Sequence, residues 1–219
     1  IRQSRVETTI LLSEIVKRLH NKPEVVINGS AIGVYGSDPE FVFDETSEVY
    51  GPSKGGKDDF LAQVVKDWEA AADEYESTRV VKLRTGVVLD AKQGALPKMV
   101  LPYKLGIGGP IGSGKQWLSW IHINDMVRII EFCIHNKLEG AVNAVSPQPV
   151  RNEDFGKTIA SVLRRPHYLP LPSFVLRVGL GEMSSLLLEG QRVAPARLME
   201  HGFQFEYDTL EKALKNLLA

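Results

Sequence analysis

The stretch Glu24-Val-Val-Ile-Asn-Gly-Ser-Ala-Ile-Gly-Val-Tyr-Gly36 decides the fold. Val25, Val26 and Ile27 form a short β-branched run, the pattern of a strand whose sheet is covered on both faces. Asn28, Gly29 and Ser30 follow as a polar, flexible turn. Such a turn leaves the Ser30 hydroxyl at a carboxyl end of the sheet, where open α/β sheets bind their ligands. A buried strand and an ordinary turn account for the same residues, so the flanking sequence has to decide between them.

Working outward, residues 5–19 place Val6, Ile10, Ile15, Val16 and Leu19 near a helical period, with Ser4 as a cap. On the other side, residues 37–59 form a long polar loop with Pro39, Pro52 and a Gly/Ser-rich run over 51–56. A loop of that length is more often a lid or substrate loop than an idle connection. Asp58 or Asp59 then caps a helix with the apolar face Phe60, Val64, Trp68 and Ala71. Residues 79–89 (Arg-Val-Val-Lys-Leu-Arg-Thr-Gly-Val-Val-Leu) read as a second strand, with Arg84, Thr85 and Gly86 near its exit. The order helix, strand, loop, helix, strand implies right-handed crossovers and a parallel sheet.

Farther on, residues 94–105 read as a short helix and 106–114 as a glycine-dense loop leading into an extended segment, 116–123. Asn124 and Asp125 cap a helix over 126–135, residues 140–145 form a strand, and Asn152 caps a helix that runs to 163. Pro166, Pro170 and Pro172 mark a change of texture. Residues 174–219 then combine an apolar helix, a strand-like segment at 202–207 and a terminal helix capped by Asp208 or Thr209.

Bulk properties narrow the function. The 219-residue chain is long enough for a substantial core, and its formal net charge of −1 provides no global basic field for nucleic acid or an anionic membrane. No window approaches the ~18 consecutive apolar residues of a membrane span, and the first residues have no signal-peptide layout. The single cysteine, Cys133, lies between Phe132 and Ile134 in an apolar helical pattern, which suits a core position and a reducing compartment. The expectation is a cytoplasmic α/β protein.

Three chemical motifs fail on context. Gly109-Pro-Ile-Gly-Ser-Gly-Lys-Gln116 nearly fits a phosphate-binding loop, but Gln116 stands where a Ser or Thr should hold magnesium, and an extended segment follows where a helix should. Ser30, His122 and Asp125 supply the residue types of a hydrolytic triad, yet Gly29-Ser30-Ala31-Ile32-Gly33 is not the Gly-x-Ser-x-Gly elbow. The five histidines are scattered without ligand spacing, so no metal is expected.

Taken together, residues 28–36, the run Leu83-Arg-Thr-Gly-Val-Val-Leu89 and the run Gly112-Ser-Gly-Lys-Gln-Trp-Leu-Ser-Trp-Ile-His-Ile-Asn-Asp125 resemble an extended or atypical short-chain dehydrogenase/reductase. The tail, with Leu180-Gly-Glu-Met, Leu188-Glu-Gly-Gln-Arg-Val-Ala-Pro195 and Gly202-Phe-Gln-Phe205, is similar to the branch known as the epimerase family, or SulA-like nucleoside-diphosphate-sugar epimerases. The resemblance spans essentially the whole chain. It implies a Rossmann-type doubly wound parallel sheet in residues 1–165 that binds NADP or NAD, NADP ahead, with inserted substrate-lobe segments. Residues 166–219 then form a small α+β substrate lobe. It also implies that the first strands of the fold, with the pyrophosphate loop, are missing from this sequence.

In such proteins a Ser or Thr at this strand end orients the substrate oxygen, and a Tyr-x-x-x-Lys pair carries the proton. Ser30 matches the first position. Tyr50-Gly-Pro-Ser-Lys54 reproduces the pair literally, but in a loop, whereas one helical turn should separate the two side chains. Alignment by the following helix and Glu69 instead places Leu61 and Val65 there, with Tyr35 the nearest remaining phenol. The resemblance assigns catalysis to Ser30, Tyr35, Tyr50 and Lys54, with Arg84 or a loop tyrosine assisting hydride transfer. It assigns cofactor contacts to Asn28, Gly29, Ser30, Arg84, Thr85, Gly86 and Val87, and substrate contacts to Lys115, Gln116, Trp117, Trp120 and His122. Leu118 and Ser119 replace the Arg-Asp pair that contacts nucleotides in sugar-nucleotide epimerases, which argues against a nucleoside diphosphate in the usual pose. The reading is an NAD(P)-dependent oxidoreductase or epimerase-like protein; the alternative is a cofactor-binding sensor or scaffold without turnover. The helices at 5–19 and 60–75 offer surfaces for a homodimer.

Overall fold

The computed structural model describes residues 1–36, 38–49, 60–169 and 190–218. Its centre is a parallel sheet of β1 (Val25–Ala31), β3 (Arg79–Thr85) and β7 (Gly140–Ala144), in the order β1-β3-β7. β1 is longer than its apolar run suggested. Asn28, Gly29 and Ser30 are paired with Lys82, Leu83 and Arg84, so they are strand and not turn. The ladder with β3 satisfies their backbone groups in place of local turn bonds.

The two faces of β3 are chemically different, as its two-residue side-chain period allows. Val81 and Leu83 join an apolar cluster with Val142, Ala144 and the residues Ile129 and Cys133 of α4 (Ile123–His135). Lys82 and Arg84 instead reach carboxylates on α2 (Phe60–Ala72) and in the turn after it: Asp73 lies 2.6 Å from Lys82, and Glu69 lies 2.8 Å from Arg84. Cys133 is fully buried, and burial pushes its thiol up to about 11. Of the apolar face expected for α2, Val64 and Ala71 are buried, while Phe60 is exposed.

The second expected strand breaks in two at Gly86. β4 (Val87–Leu89) leaves the central sheet and pairs in parallel with β6 (Trp120–His122). A side chain at Gly86 would place its Cβ 2.6 Å from the Ser119 carbonyl oxygen and 2.8 Å from Val145 Cγ1. Glycine is what permits this crossing. The extended segment 116–123 divides likewise. β5 (Trp117–Leu118) pairs antiparallel with β8 (Val150–Arg151), and β2 (Val42–Phe43) pairs in parallel with β9 (Arg192–Val193).

α1 (Arg2–Arg18) lies along α2 through polar contacts. Trp68 Nε1 donates to Thr9 Oγ1 at 3.0 Å, the Arg5 guanidinium sits 4.5 Å over the Trp68 ring, and Arg2 pairs with Asp67 at 2.6 Å. Thr9 and Ser13 are its buried residues; Ile10, Ile15 and Leu19, expected on an inner face, are exposed. α3 (Leu96–Lys104), α5 (Asn152–Leu163) and α7 (Leu210–Leu218) enclose a further apolar cluster with Leu89, Leu118 and Trp120. α6 (Ala196–Glu200) contributes Leu198 to the cluster under β7.

The expected strand at 202–207 is absent from the described residues. That segment is instead pinned by the fully buried Asp125, whose carboxylate accepts from the backbone N–H groups of Glu206 (3.0 Å) and Tyr207 (2.8 Å). The expected helix caps Asp58 and Asp59 lie outside the described residues. Among those described, no helix is long and apolar enough to cross a membrane.

Candidate functional site

Ser30, Arg84 and Asn143 stand in register on β1, β3 and β7. In-register residues of parallel strands project from the same face, so the sheet presents one polar rung near its carboxyl edge. Ser30 Oγ donates to Glu69 Oε1 at 2.6 Å. Arg84 grips the same carboxylate at both oxygens, Nε to Oε1 and Nη2 to Oε2, each 2.8 Å. Its remaining nitrogen, Nη1, donates to the Tyr35 hydroxyl at 2.9 Å, and Tyr35 in turn donates to Asn143 Oδ1 at 2.8 Å. Asn143 closes the chain by donating through Nδ2 to the Ala194 carbonyl at 3.0 Å and through its backbone N–H to Glu45 Oε1 at 2.9 Å. Ser30, Tyr35, Glu69, Arg84 and Asn143 are all buried.

The electrostatics suit a closed assembly. Burial works against the Arg84 charge, but the hydrogen bond and charge of Glu69, with Tyr35 beside it, prevail and raise its pKa. Burial raises the Tyr35 phenol above its ordinary value, against the opposing pull of Arg84, so it stays protonated at neutral pH. Burial also raises the Glu45 carboxyl, against the hydrogen bond it accepts from Asn143. The Tyr35 ring lies under the Arg84 guanidinium at 4.9 Å and stacks on Phe43 at 5.3 Å. Phe43 is in turn paired with Val193 of β9.

Of the expected catalytic residues, the structure brings Ser30 and Tyr35 into one network through Arg84. Tyr50 and Lys54 lie outside the described residues. On α2, Leu61 is partly exposed and Val65 packs in the apolar cluster around Tyr35. Among the expected cofactor contacts, Asn28 is buried with its Nδ2 on the Gly29 carbonyl (2.8 Å), and Gly29 is exposed. Thr85 Oγ1 donates to Leu83 O at 3.2 Å, and the amides of Gly86 and Val87 are bonded to Ala144 O and Ser119 O.

The expected substrate residues separate into two groups. Lys115 and Trp117 lie at the surface, whereas Trp120 and His122 are buried. Trp120 Nε1 donates to Gln148 O at 3.0 Å. His122, rather than Asn124 or Asp125, caps α4: its Nδ1 accepts from Asn124 N at 3.0 Å, which leaves Nε2 to donate to Asn216 Oδ1 at 3.1 Å. Gln116 Nε2 donates to Ile111 O at 3.0 Å within the glycine-dense loop, and a strand follows it. Ser30, His122 and Asp125 are bonded to separate partners, so no triad forms. Among the described residues no group of His, Cys, Asp and Glu could hold a metal ion.

Glu69 and Asn143 are the network members that pattern reading did not single out as site residues. Asn143 is a polar residue inside an apolar run, Ala141-Val142-Asn143-Ala144-Val145, and Glu69 falls one helical turn after Val65 on the buried side of α2. That is the signal of a buried group that must have a partner.

Comparison with known proteins agrees with this architecture. Residues 171–217 match a domain of unknown function, DUF1731. The chain is 42% identical to the epimerase family protein YfhF of Bacillus subtilis over 222 residues, covering 100% of this chain and 71% of that protein. It is 41% identical over 218 residues to the epimerase family protein SERP0438 of Staphylococcus epidermidis. Among solved structures, the human epimerase family protein SDR39U1 (isoform 2), determined with NADPH, superposes with a TM-score of 0.88 at 36% identity. That match covers 99% of this chain and 72% of the human one. A nucleoside-diphosphate sugar epimerase from Corynebacterium glutamicum gives a TM-score of 0.80 at 32% identity, covering 99% of this chain and 42% of that one. This chain therefore belongs to the epimerase family, with the Rossmann-type α/β fold of atypical short-chain dehydrogenase/reductases.

Proposed function

We propose that this protein binds NADPH, in preference to NADH, at the carboxyl edge of β1 and β3, and that it is an oxidoreductase or epimerase-like enzyme acting on a small molecule. The observation that carries the reading is the human relative determined with NADPH, which matches this chain along 99% of its length. The local chemistry fits the nicotinamide end of such a cofactor. Gly29 is exposed, with the Trp68 ring 3.2 Å from where a Cβ would stand, and Ser30 and Thr85 supply neutral hydroxyls suited to a carboxamide or ribose. When bound, the nicotinamide supplies a hydride acceptor or donor.

The chain's own residues set the proton inventory around it. The Ser30 hydroxyl has one hydrogen, now directed at Glu69, so polarising a substrate oxygen requires that hydrogen to turn away. The Tyr35 phenol keeps its proton and spends it on Asn143. These commitments, with Leu61 and Val65 on α2, support the second reading, a cofactor-binding sensor or scaffold without turnover. Tyr50 and Lys54 are the residues on which the enzyme reading depends for a proton carrier. A homodimer formed through α1 and α2 is part of the proposal, supported by the exposed Leu11, Leu12, Ile15 and Phe60.

Titration of the full-length protein with NADPH, followed by cofactor fluorescence, tests the common part. Saturable binding that is tighter than for NADH is expected; no binding of either overturns both readings. Hydride exchange between NADPH and a carbonyl panel then separates them. Loss of turnover in Tyr50→Phe at unchanged NADPH affinity, with loss of turnover in Ser30→Ala, supports the enzyme, and absence of turnover in the parent protein supports the sensor.

A further inference from the structure

Trp117 carries two guanidinium groups. Arg151 lies with its central carbon 3.8 Å from the indole centroid, and Arg192 lies 4.5 Å from it. The two cations are therefore no farther apart than the sum of those distances, although they come from strands of different sheets, β8 and β9. Like charges at such a separation repel, and an anion between them would relieve that repulsion. Among the described residues neither arginine has a carboxylate partner. The nearest acidic residue in sequence to Arg151 is Glu153, which pairs instead with Lys157 at 2.7 Å.

The mounting of the pair is rigid. Trp117 Nε1 donates to the Pro39 carbonyl at 3.0 Å, which fixes the ring. Arg151 donates one Nη1 hydrogen bond to the Lys115 carbonyl, so its fork is oriented but not filled. Arg192 makes no side-chain hydrogen bond to another described residue and meets the Trp117 ring with its guanidinium. Backbone closeness holds β9 here: a Cβ on Gly190 would fall 1.5 Å from the Trp117 carbonyl oxygen, and Ser119 Oγ donates to Gln191 O at 2.8 Å while accepting from Val193 N at 3.0 Å. Stacking on an indole orients a guanidinium with little loss of its hydrogen-bonding edge.

We infer that Arg151 and Arg192, held against Trp117, form an anion subsite that receives an oxyanion group of the substrate, a phosphate or a carboxylate. The Lys115 ammonium at the adjacent surface adds to the same field. The subsite connects to the buried network through Val193, Phe43 and Tyr35, which pack in one cluster. The word substrate rests on the function proposed above; the anion site itself does not.

The test is calorimetric titration of the full-length protein with inorganic pyrophosphate and, separately, with succinate, in the parent and in Arg151→Gln, Arg192→Gln and the double variant. Saturable binding of one probe, weakened about tenfold or more by each single substitution and by added salt, is expected. Whichever probe binds tells phosphate from carboxylate. Arg192→Lys should recover part of the affinity, because the charge returns without the fork. Unchanged affinity in the double variant overturns the subsite. Competition between NADPH and the probe for these arginines overturns its assignment to substrate. Arginine-dependent probe binding in a protein that fails to bind NADPH leaves the subsite standing and removes the proposed function. NADPH binding without any probe binding does the reverse.

Discussion

The molecule holds arginine against an aromatic ring in two places and treats the charge in opposite ways. Arg84 lies over Tyr35, is 4% exposed, and has its charge matched by both oxygens of Glu69. Arg151 and Arg192 lie over Trp117, half-buried, with no carboxylate among the described residues. The buried guanidinium needs its partner, since an unpaired charge in that environment would be costly. The half-buried ones tolerate its absence because water still reaches them. The difference teaches which polar assembly can respond to a ligand. A network whose members are each bonded to one another stabilises a conformation, and guanidinium groups without a carboxylate among the described residues suit a ligand anion.

The contrast breaks most easily at Glu69. Replacing it by Ala strands the Arg84 charge and should lower unfolding stability by about 3–5 kcal/mol, read from urea denaturation. A paired Glu69→Met, Arg84→Met variant should recover most of that loss, and failure to do so would show that the network contributes more than charge compensation. Tyr35→Phe removes one hydroxyl, leaving Arg84 Nη1 and Asn143 Oδ1 without partners, and should cost about 1–3 kcal/mol in the same measurement.

The closed mode recurs at His122, which gives a pH test. Burial holds its imidazole below the ordinary 6.5, with the hydrogen bond to Asn216 opposing. The unfolded chain therefore binds the proton more readily, and stability falls as pH drops below about 6.5. Protonation at Nδ1 would also break the cap on Asn124. A melting temperature measured against pH should decline there in the parent and decline less in His122→Asn. The smallest effect belongs to the open site. Arg192→Gln should leave unfolding stability within about 0.5 kcal/mol, and a larger loss would show that the arginine is structural.

Much of this was legible from residue pattern. The β-branched run at 25–27, the Val80-Val81 pair opening the segment 79–85 and the helices between them carry the parallel sheet, because short apolar runs joined by helices read as crossover-connected strands. What was not legible came from pairing partners far apart in sequence. Asn28-Gly29-Ser30 has turn composition, yet the ladder to β3 makes it strand. Residues 79–89 look continuous, and the break at Gly86 follows from the approach of Ser119, 33 positions later in the chain. At the site, Ser30 was visible as a polar residue at a strand end. Its partner Glu69 lies 39 residues away on another element, and no local spacing links them. Tyr50 and Lys54 lie outside the described residues, and the structure adds nothing to their reading.

The polar rung across β1, β3 and β7 has a consequence for how the sheet assembles. Parallel strands rich in Val, Leu and Ala carry little information about how far one should slide along another. Here Ser30, Arg84 and Asn143 must arrive at the same level for Glu69 and Tyr35 to engage them. A slip of one residue would turn Arg84 toward the cluster of Leu83, Ile129 and Cys133, with its charge uncompensated. Mis-set sheets are thereby penalised. The arginine at the centre of the rung acts as an alignment pin for the sheet.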